Sequence, residues 1–283
     1  MKSGSRLRAQ LEEDRLIVAP GVFDGLSAHL VKRMGFSAAY MTGAGIAASG
    51  YGLPDVGLVT ATEMAARASV LVDILEDVPL IADADTGYGS PLNVVRTVQT
   101  YEKAGVAAIQ LEDQAFPKRC GHLPEKEIIS EADFLAKLGA ALDTRSDALI
   151  VARTDARAVL GLSAAIDRAN AYADAGADIV FVEAPESVDE IERISKEVSA
   201  PLLINIVQTG MTPDEGADRL DALGFAIAIH PSNPLAAATN AMVVELEALG
   251  GRDPRTDSVG VAAFFDLVGL PEWSAVGEKW GRF

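Results

Sequence analysis

The chain has 283 residues, of which 49% are hydrophobic and 23% are charged, so it can bury a large core and is typical of a folded globular protein. Its formal net charge of −17 argues against binding to nucleic acid or to an anionic membrane, because both require a positive surface. A single cysteine excludes an internal disulfide and favours a reducing cytoplasm. Residues 1–10 lack the apolar run of a signal peptide, and no segment has about 20 consecutive apolar residues, so we expect a cytoplasmic protein without a membrane span.

Eight short runs of apolar residues recur along the chain, and they do not alternate polar with apolar positions. Continuous apolar runs are typical of strands that are covered on both faces, as in a parallel sheet. In chain order, the predicted strands are Leu16–Pro20, Ala38–Thr42, Pro79–Asp83, Ala107–Glu112, Ala148–Arg153, Ile179–Glu183, Leu202–Ile206 and Phe225–His230.

Segments of helical periodicity lie between these runs, as at Pro91–Val98 and Leu162–Ala169. Ser130, followed by the acids Glu131 and Asp133, predicts a capped helix start. Glycines that follow a predicted helix and lead straight into a strand are typical of left-handed helix caps. Four glycines stand at such positions: Gly35, Gly105, Gly176 and Gly224.

Eight such βα units predict an α/β protein with one domain over residues 1–283, a (β/α)8 barrel of the TIM type. A doubly wound open sheet is the alternative, although no Gly-x-Gly-x-x-Gly motif follows the first strand. Residues from about Gly250 to Phe283 follow the eighth unit and carry Phe264, Phe265 and Trp273. That extension is too apolar to remain exposed, so we expect it to pack on a neighbouring subunit.

Polar residues stand at or just after the carboxyl ends of seven predicted strands, where the chemistry of barrel enzymes gathers. These positions are Thr42, Asp83, Asp85, Glu112, Arg153, Glu183, Asn205, Gln208 and His230. Any one of them fits the ordinary return of polar residues at a strand end. Carboxylates, an arginine and amides at seven ends together indicate one polar site.

Three acids in this set favour a metal. Asp83 and Asp85 are two residues apart, so in a regular strand both side chains face the same side. Glu112 comes from the next strand, and three unpaired carboxylates that converge would raise one another's pKa. A hard divalent cation removes that repulsion, and oxygen ligands favour Mg²⁺, with Mn²⁺ as the close substitute. The alternative is a set of acids that cap turns and form salt bridges.

Two further residues are candidates for binding. Arg153 is placed either to bind a substrate carboxylate through two hydrogen bonds or to form a structural ion pair with Asp155 or Glu183. Asp55 lies in the long loop after the second strand, where it either orients the water shell of the metal or caps a turn.

The segment Lys118-Arg119-Cys120-Gly121-His122 holds the only cysteine and one of the three histidines. Flanking cations lower the pKa of a thiol, so Cys120 is a candidate acid, base or nucleophile. The alternative is a lone cysteine in a basic surface loop. The sequence has no cluster of histidine and cysteine residues that would predict a zinc site.

Together these residues make the chain resemble the isocitrate lyase / phosphoenolpyruvate mutase superfamily, and within it the methylisocitrate lyase and dimethylmalate lyase branch. The resemblance runs from about Val18 to His230. Its motifs are Gly52-Leu53-Pro54-Asp55, Asp83-Ala84-Asp85-Thr86-Gly87, Glu112-Asp113-Gln114, Lys118-Arg119-Cys120-Gly121-His122, Ala152-Arg153-Thr154-Asp155 and Glu183-Ala184.

The resemblance implies a barrel, usually a homotetramer, whose C-terminal helices are exchanged between subunits. It implies Mg²⁺ near Asp83, Asp85 and Glu112, partly through water, and a small-molecule carboxylate as substrate. It implies that the carboxylate and the α-oxygen of that substrate are held by Thr42, Gly43, Ala44 and Arg153. The remaining candidate substrate-binding residues are Tyr40, Asp55, Glu183, Asn205, Gln208 and His230.

The implied activity is cleavage of a 2-hydroxy di- or tricarboxylate, such as methylisocitrate or a substituted malate, to a 2-oxo acid such as pyruvate and a carboxylate. Mg²⁺ and Arg153 stabilise the oxygen that becomes the ketone. Cys120 donates a proton to the carbanion, Lys118 and His122 tune the thiol, and the surrounding loop closes over the site. Glu112 completes the candidate catalytic set.

Two positions depart from the pattern of methylisocitrate lyases. Leu123 stands where an arginine is usual, which favours a substrate smaller or more apolar than a tricarboxylate, and Gln208 stands where a glutamate is usual. The pair His230-Pro231 resembles lyases more than the oxaloacetate hydrolase branch.

Other functions remain open at the same site. One alternative is an oxaloacetate or oxo-acid hydrolase or decarboxylase, and another is a phosphonomutase-type enzyme, against which Cys120 argues. A third, suggested by Gln208, is a barrel that binds a 2-oxo acid without turnover.

Overall fold

Eight parallel strands close into a barrel in the computed structural model, which describes residues 2–13, 15–119, 121, 126–251 and 260–280. The strands of this described part pair in chain order, and β8 pairs with β1 to close the barrel. The strands are β1 (Ile17–Val22), β2 (Ala39–Met41), β3 (Leu80–Asp83), β4 (Ala108–Glu112), β5 (Leu149–Thr154), β6 (Ile179–Val182), β7 (Leu202–Asn205) and β8 (Phe225–His230). The predicted (β/α)8 barrel is confirmed, and the open sheet is excluded.

Helices alternate with these strands and cover the outside of the barrel. Before β4 the described helices are α1 (Ser3–Leu11), α2 (Gly25–Arg33), α3 (Gly43–Tyr51), α4 (Ala61–Leu75) and α5 (Pro91–Ala104). Between β4 and β8 they are α6 (Glu131–Thr144), α7 (Ala156–Leu160), α8 (Leu162–Asp174), α9 (Val188–Glu197) and α10 (Ala217–Ala222). After β8 they are α11 (Asn233–Leu249), α12 (Val261–Leu267) and α13 (Leu270–Lys279).

Both faces of the central strands are buried, which explains why their sequences do not alternate. Every residue of β3, β4 and β5 is buried. Ile81 and Val151 pack inside the barrel, whereas their neighbours Ala82 and Ile150 pack in the layer between strands and helices. A parallel sheet of this kind therefore needs apolar side chains at successive positions.

Local sequence signals set the helix ends. The Ser130 side chain accepts a hydrogen bond from the Asp133 N–H, and α6 begins at Glu131, as predicted. The four glycines predicted as left-handed caps all have positive φ, for example +90° at Gly105 after α5. Such a backbone favours glycine because it has no Cβ. The sequence thus marks most βα boundaries locally.

Helix α1, which the sequence analysis did not predict, closes the amino-terminal end of the barrel. Leu7 is fully buried and belongs to the cluster inside the barrel. The Gly4 N–H donates to Asp147 Oδ2 at 2.8 Å, and Arg8 NH1 lies 3.1 Å from Asp178 Oδ1. Because Asp147 and Asp178 precede β5 and β6, these contacts fix α1 at the end opposite the strand carboxyl ends.

The C-terminal helices differ in how they are buried. Phe265 of α12 is only 4% exposed within this chain, and Phe264 packs against the outer core. In α13 no residue is buried, and Trp273 is 39% exposed. Packing of this extension on a neighbouring subunit stays a prediction. None of the described helices is both long enough and apolar enough to cross a membrane.

Candidate active site

A cavity of about 100 Å³ opens at the carboxyl ends of the strands. The barrel contributes its polar wall, with Tyr40, Thr42, Asp83, Arg153, Glu183 and Asn205. Loops after β2 and β4 contribute Asp55, Lys118, Arg119 and Gly121. Another part of the wall comes from residues after β7 and β8, from Gly260 and from α12, namely Val207, Gln208, Thr209, Pro231, Ser232, Leu235, Ala236, Asn240, Gly260, Phe264 and Phe265. The site therefore lies where barrel enzymes carry their active sites.

Asp83 and Asp85 lie close together because of a turn, not because both side chains face the same side of a regular strand. Strand β3 ends at Asp83, and Asp85 has a left-handed φ of +47°. The Asp85 N–H donates to Asp83 Oδ1 at 3.0 Å. A Cβ added to Gly43 would lie 2.7 Å from Asp83 Oδ2 and 3.6 Å from Asp85 Oδ1. Glycine at this position therefore leaves room for both carboxylates.

Lys118 supplies the positive charge of this cluster. Its ammonium forms an ion pair with Asp55 and lies 2.7 Å from Asp85 Oδ1. Its side chain is 4% exposed. Although burial opposes the charge, Asp55 and Asp85 raise the pKa of Lys118 well above its ordinary value. Lys118 thus stays protonated, and Asp55 contacts this lysine.

Burial raises the pKa of the acids even with the lysine present. Burial raises the pKa of Asp83, and Lys118 offsets part of the effect. The pKa of Asp85 rises to about 7, because burial and the charge of Asp83 outweigh the attraction of Lys118. The pKa of Glu112 is raised well above its ordinary value, mainly by burial. The cluster therefore lacks sufficient positive charge to keep all three acids ionised at neutral pH.

Strand register places Glu112 beside Arg153. The two residues pair across β4 and β5, and Arg153 NH1 lies 3.4 Å from Glu112 Oε2. The other oxygen, Glu112 Oε1, is buried and has no hydrogen-bond partner among the described residues. A buried carboxylate oxygen without a donor is costly, so it indicates a place for a cation or a donor group.

Asp155 fixes the orientation of the Arg153 guanidinium through two hydrogen bonds. Arg153 Nε donates to Asp155 Oδ2 at 2.8 Å, and NH2 donates to Oδ1 at 3.0 Å. The guanidinium also lies 5.4 Å from the centre of the Phe181 ring and 3.9 Å from Glu183 Oε1. Although burial opposes the charge, Asp155, Glu183 and Glu112 raise the pKa of Arg153 well above its ordinary value. The ion pair with Asp155 therefore exists, and Arg153 still lines the cavity.

The chemistry of these oxygens fits Mg²⁺. In the part of the chain that the structure describes, no three acidic, histidine or cysteine side chains are grouped as a complete metal-ligand set. Mg²⁺ commonly takes one or two carboxylates and keeps several waters, so such a set is not required. Two adjacent aspartates with raised pKa values and the unpartnered Glu112 Oε1 are hard donors that an ion would satisfy.

The segment after Lys118 reaches into the cavity at Gly121. A Cβ on Gly121 would clash with Glu183 Oε1 and would lie 2.6 Å from Arg153 NH2, so only glycine fits here. Lys126 Nζ donates to the Gly121 carbonyl at 2.7 Å. Cys120 and His122, the predicted proton donor and its neighbour, lie outside the described residues.

Three predicted substrate-binding residues lie along the polar wall. Tyr40 OH donates to Gln110 Oε1 at 2.9 Å, and burial raises the pKa of Tyr40 well above its ordinary value. Thr42 lines the cavity and caps α3 by accepting from the Gly45 N–H at 3.0 Å. Ala44 also lines the cavity.

The remaining predicted residues differ in placement. Asn205 Nδ2 lies 3.3 Å from Glu183 Oε1, and both residues line the cavity. Gln208 is an exposed residue at the rim. His230 is not among the described residues that line the cavity: its Nδ1 lies 3.3 Å from Asn233 Nδ2, and burial lowers its pKa.

The sequence analysis did not predict the role of Asp113, which holds Asp155 and thereby supports Arg153. Asp113 is fully buried and accepts from Thr154 Oγ1 at 2.7 Å, Tyr172 OH at 2.8 Å and Arg168 NH1 at 3.0 Å. It also accepts from the Asp155 N–H at 2.9 Å. Asp113 therefore anchors the residue that orients Arg153. Its place in the Glu112-Asp113-Gln114 motif was the available signal.

Comparison with known proteins identifies the family of this chain. A model of the family described as phosphoenolpyruvate phosphomutase matches residues 7–249. The chain belongs to the phosphoenolpyruvate mutase/isocitrate lyase superfamily. The resemblance that the sequence motifs predicted is thereby confirmed.

Curated members of the superfamily are similar over nearly the whole chain. A 2,3-dimethylmalate lyase of Eubacterium barkeri is 46% identical over 95% of each chain. A 2-methylisocitrate lyase of Aeropyrum pernix is 42% identical over 96% of this chain and 89% of its own length. A chloroplastic carboxyvinyl-carboxyphosphonate phosphorylmutase of Arabidopsis thaliana is 41% identical over 95% of this chain and 82% of its own length. The lyases among them support the predicted class of enzyme, a carbon–carbon lyase.

Solved structures agree with this assignment. A 2,3-dimethylmalate lyase has a TM-score of 0.85 and 39% identity, covering 100% of this chain and 96% of its own. An oxaloacetate acetylhydrolase bound to 3,3-difluorooxalacetate also has a TM-score of 0.85, with 37% identity and coverage of 100% and 98%. A phosphonopyruvate hydrolase complexed with oxalate and Mg²⁺ has a TM-score of 0.77 and 29% identity, with 99% of each chain covered.

Proposed function

We propose that this protein is a Mg²⁺-dependent carbon–carbon lyase that cleaves a 2-hydroxy carboxylate to a 2-oxo acid and a second carboxylate. The observation that carries the proposal is the arrangement around Arg153: a guanidinium fixed by Asp155 faces a cavity that is also lined by Asp83, a buried acid of raised pKa. The similarity to dimethylmalate and methylisocitrate lyases supports the same reaction.

Asp83, Asp85 and Glu112 would hold the metal, directly or through water. When bound, Mg²⁺ would neutralise these acids and stabilise negative charge on the substrate oxygen that becomes the ketone. The phosphonopyruvate hydrolase bound to oxalate and Mg²⁺ supports a divalent metal in this superfamily.

Side chains of this protein would bind the substrate carboxylate and would supply the proton that the carbanion accepts. Arg153 NH1, which Asp155 does not engage and which lies 3.4 Å from Glu112 Oε2, would bind the carboxylate of the substrate. Transfer of the hydroxyl proton to a base and cleavage of the adjacent carbon–carbon bond form the C=O of the 2-oxo acid, and the electron pair of the broken bond stays on the other carbon as a carbanion stabilised by its carboxylate. Cys120 is the proposed donor of the proton to that carbon, and Lys118 and His122 tune the thiol. Gly121, against Arg153 and Glu183, would help to exclude water.

The uncharged wall of the cavity favours a substituted malate over a tricarboxylate. The described lining residues after β7 and β8 and from α12 include no charged side chain, but they include Leu235, Phe264 and Phe265. A third carboxylate would meet no cation on that wall, whereas an alkyl group would be buried there. Leu123, where related lyases carry arginine, supports the same preference.

Incubation with Mg²⁺ and a panel of 2-hydroxy acids tests the proposal. The panel contains malate, 2,3-dimethylmalate, 2-methylisocitrate and isocitrate, and 2-oxo acid formation is measured with and without EDTA. We expect pyruvate from 2,3-dimethylmalate, and less from 2-methylisocitrate. A Cys120→Ser variant should lose turnover by about 10²-fold or more. The absence of 2-oxo acid from every substrate refutes the lyase, and an unchanged Cys120→Ser rate removes Cys120 from the mechanism.

Hydrolysis of oxaloacetate is the second candidate. The similarity to oxaloacetate acetylhydrolase supports it, because the TM-score equals that of the dimethylmalate lyase. The same metal site would serve both reactions. Release of oxalate and acetate from oxaloacetate, measured on the same preparation, distinguishes the hydrolase from the lyase. Phosphonopyruvate in the panel tests the phosphonomutase alternative.

A cytoplasmic homotetramer remains part of the proposal. Exposed apolar side chains on α11, on α13 and directly after α13 support contact with neighbouring subunits, including Met242, Leu246, Leu249, Trp273 and Trp280. Sedimentation velocity or light scattering of the full chain measures the mass directly, and a monomer at micromolar concentration contradicts this part.

A further inference from the structure

Gln110 is a polar residue in the middle of β4, and its amide lies inside the barrel below the cavity. It is fully buried. Ala108 belongs to the cluster inside the barrel and Ile109 to the layer between strands and helices, so the alternation of the strand directs Gln110 inwards. A buried amide is costly unless both of its ends are hydrogen-bonded, so its partners define where it can lie.

The two ends of the amide contact Tyr40 and Asp83. Gln110 Oε1 accepts from Tyr40 OH at 2.9 Å, and Gln110 Nε2 donates to Asp83 Oδ1 at 3.4 Å. Strand pairing places Asp83 opposite Gln110 across β3 and β4. Because a carboxylate only accepts hydrogen bonds, the NH₂ end must face Asp83, and the remaining carbonyl end requires a donor. Tyr40 is that donor, so its hydroxyl fixes the direction of the amide.

These contacts orient the carboxylate of Asp83. Its Oδ1 accepts from Gln110 and also from the Asp85 N–H at 3.0 Å. Two donors therefore hold Oδ1, whereas Oδ2 lies beside Gly43, where an added Cβ would be 2.7 Å away. Rotation about the Cβ–Cγ bond of Asp83 would exchange the two oxygens and would break both hydrogen bonds.

We propose that Gln110 is a positioning residue that presents Asp83 Oδ2 to the metal, and that Tyr40 acts on the metal site through Gln110. The inference rests on the metal site of the proposed function. A carboxylate that is already oriented loses less rotational freedom when the ion binds, so the ion binds more tightly. Loss of a group that orients a metal ligand typically weakens metal binding by about 10- to 100-fold.

Calorimetric titration of the full chain with Mg²⁺ alone tests this role without turnover. Gln110→Met removes both hydrogen bonds at similar volume and should raise the Kd for Mg²⁺ by about tenfold. Tyr40→Phe removes only the hydroxyl and should raise the Kd by about fivefold. The double variant should bind Mg²⁺ no more weakly than Gln110→Met, because Tyr40 acts through the amide. Gln99→Met, on the exposed face of α5, should leave the Kd unchanged.

A purely structural role for Gln110 gives a different result. It predicts a lower Tm in EDTA with an unchanged Kd for Mg²⁺, and that outcome overturns the proposal. Additive effects of the two substitutions overturn the link between Tyr40 and Gln110. If Gln110→Met does not fold, an unchanged Kd in Tyr40→Phe is sufficient to overturn the proposal. A wild-type protein that binds no Mg²⁺ refutes the metal site and this inference together, whereas one that binds Mg²⁺ but cleaves no 2-hydroxy acid refutes only the lyase function.

Discussion

Replacement of Asp85 by asparagine should stabilise the metal-free protein while it removes a proposed metal ligand. The pKa of Asp85 is raised from 3.8 to about 7 by burial and by Asp83, despite the ion pair with Lys118. A rise of roughly three units at 1.36 kcal/mol each is about 4 kcal/mol of unfavourable free energy for the charged form at neutral pH. Asparagine resembles the protonated acid and avoids this penalty.

The expected shift in Tm follows from the length of the chain. With an unfolding entropy of about 2.1 cal/mol/K per residue, 1 kcal/mol corresponds to about 1.7 °C for 283 residues. Asp85→Asn should therefore raise Tm in EDTA by up to about 7 °C at pH 8. Saturating Mg²⁺ should stabilise the wild type by about 2.7 kcal/mol at a hundred times its Kd, and the variant much less.

The pH dependence has a definite sign. A carboxylate whose folded-state pKa is raised contributes stability below its unfolded pKa, near 3.8, and loses it as the pH rises towards about 7. The advantage of Asp85→Asn should thus be largest at pH 8 and roughly half as large at pH 5.5. Differential scanning calorimetry in EDTA at both values measures it.

Asp73→Asn is the matched control, because Asp73 is an exposed acid on α4. It should change Tm by less than about 1 °C, as most exposed substitutions do. If Asp85→Asn lowers Tm in EDTA at pH 8, the charge of Asp85 is a net stabiliser, and the account of this cluster is wrong.

Three further substitutions test other parts of the site. Arg153→Lys cannot keep both hydrogen bonds to Asp155 and should lower kcat/KM for 2-oxo acid formation by about 10²-fold, whereas Arg157→Lys, outside the cavity, should not. An unchanged kcat/KM contradicts the role of Arg153. Asp113→Asn puts an amide NH₂ group among the donors of Thr154, Tyr172 and Arg168, and this loss outweighs the relief of a carboxylate whose pKa is raised by burial and by Asp155, so the variant should be destabilised by about 1–3 kcal/mol in urea unfolding; an unchanged stability contradicts that role. Gly43→Ala puts a methyl group against Asp83 and should abolish the Mg²⁺-dependent rise in Tm, and a retained rise argues against the metal site.

The barrel could be predicted because its signals are local. Each predicted strand overlaps an observed one, and Phe225–His230 is identical in both. Continuous apolar runs reflect burial on both faces, and a glycine such as Gly105 marks the helix end before a strand. Helix α1 was missed because Leu7 is its only buried apolar side chain besides the buried Gly4, and because contacts with distant loops hold it in place.

The site could be predicted only as a set of residues. Strand ends identified Asp83, Glu112 and Arg153, because a barrel brings strand ends together. The sequence could not predict that Lys118 pairs with Asp55 and Asp85, since these contacts join three loops, after β2, β3 and β4. The left-handed turn at Asp85 was equally hidden, because strand periodicity assumes an extended backbone.

The origin of the cavity walls bears on how substrate range can change. Every charged side chain that the described structure places on the cavity comes from a strand end or from the loops after β2 and β4. Phe264 and Phe265, in contrast, come from α12, some thirty residues after the last strand. Chimaeras that exchange only this terminal portion between relatives should alter which side group is accepted while leaving bond cleavage intact. Substrate selectivity could therefore change among relatives of this chain without a change in the bond that is cleaved.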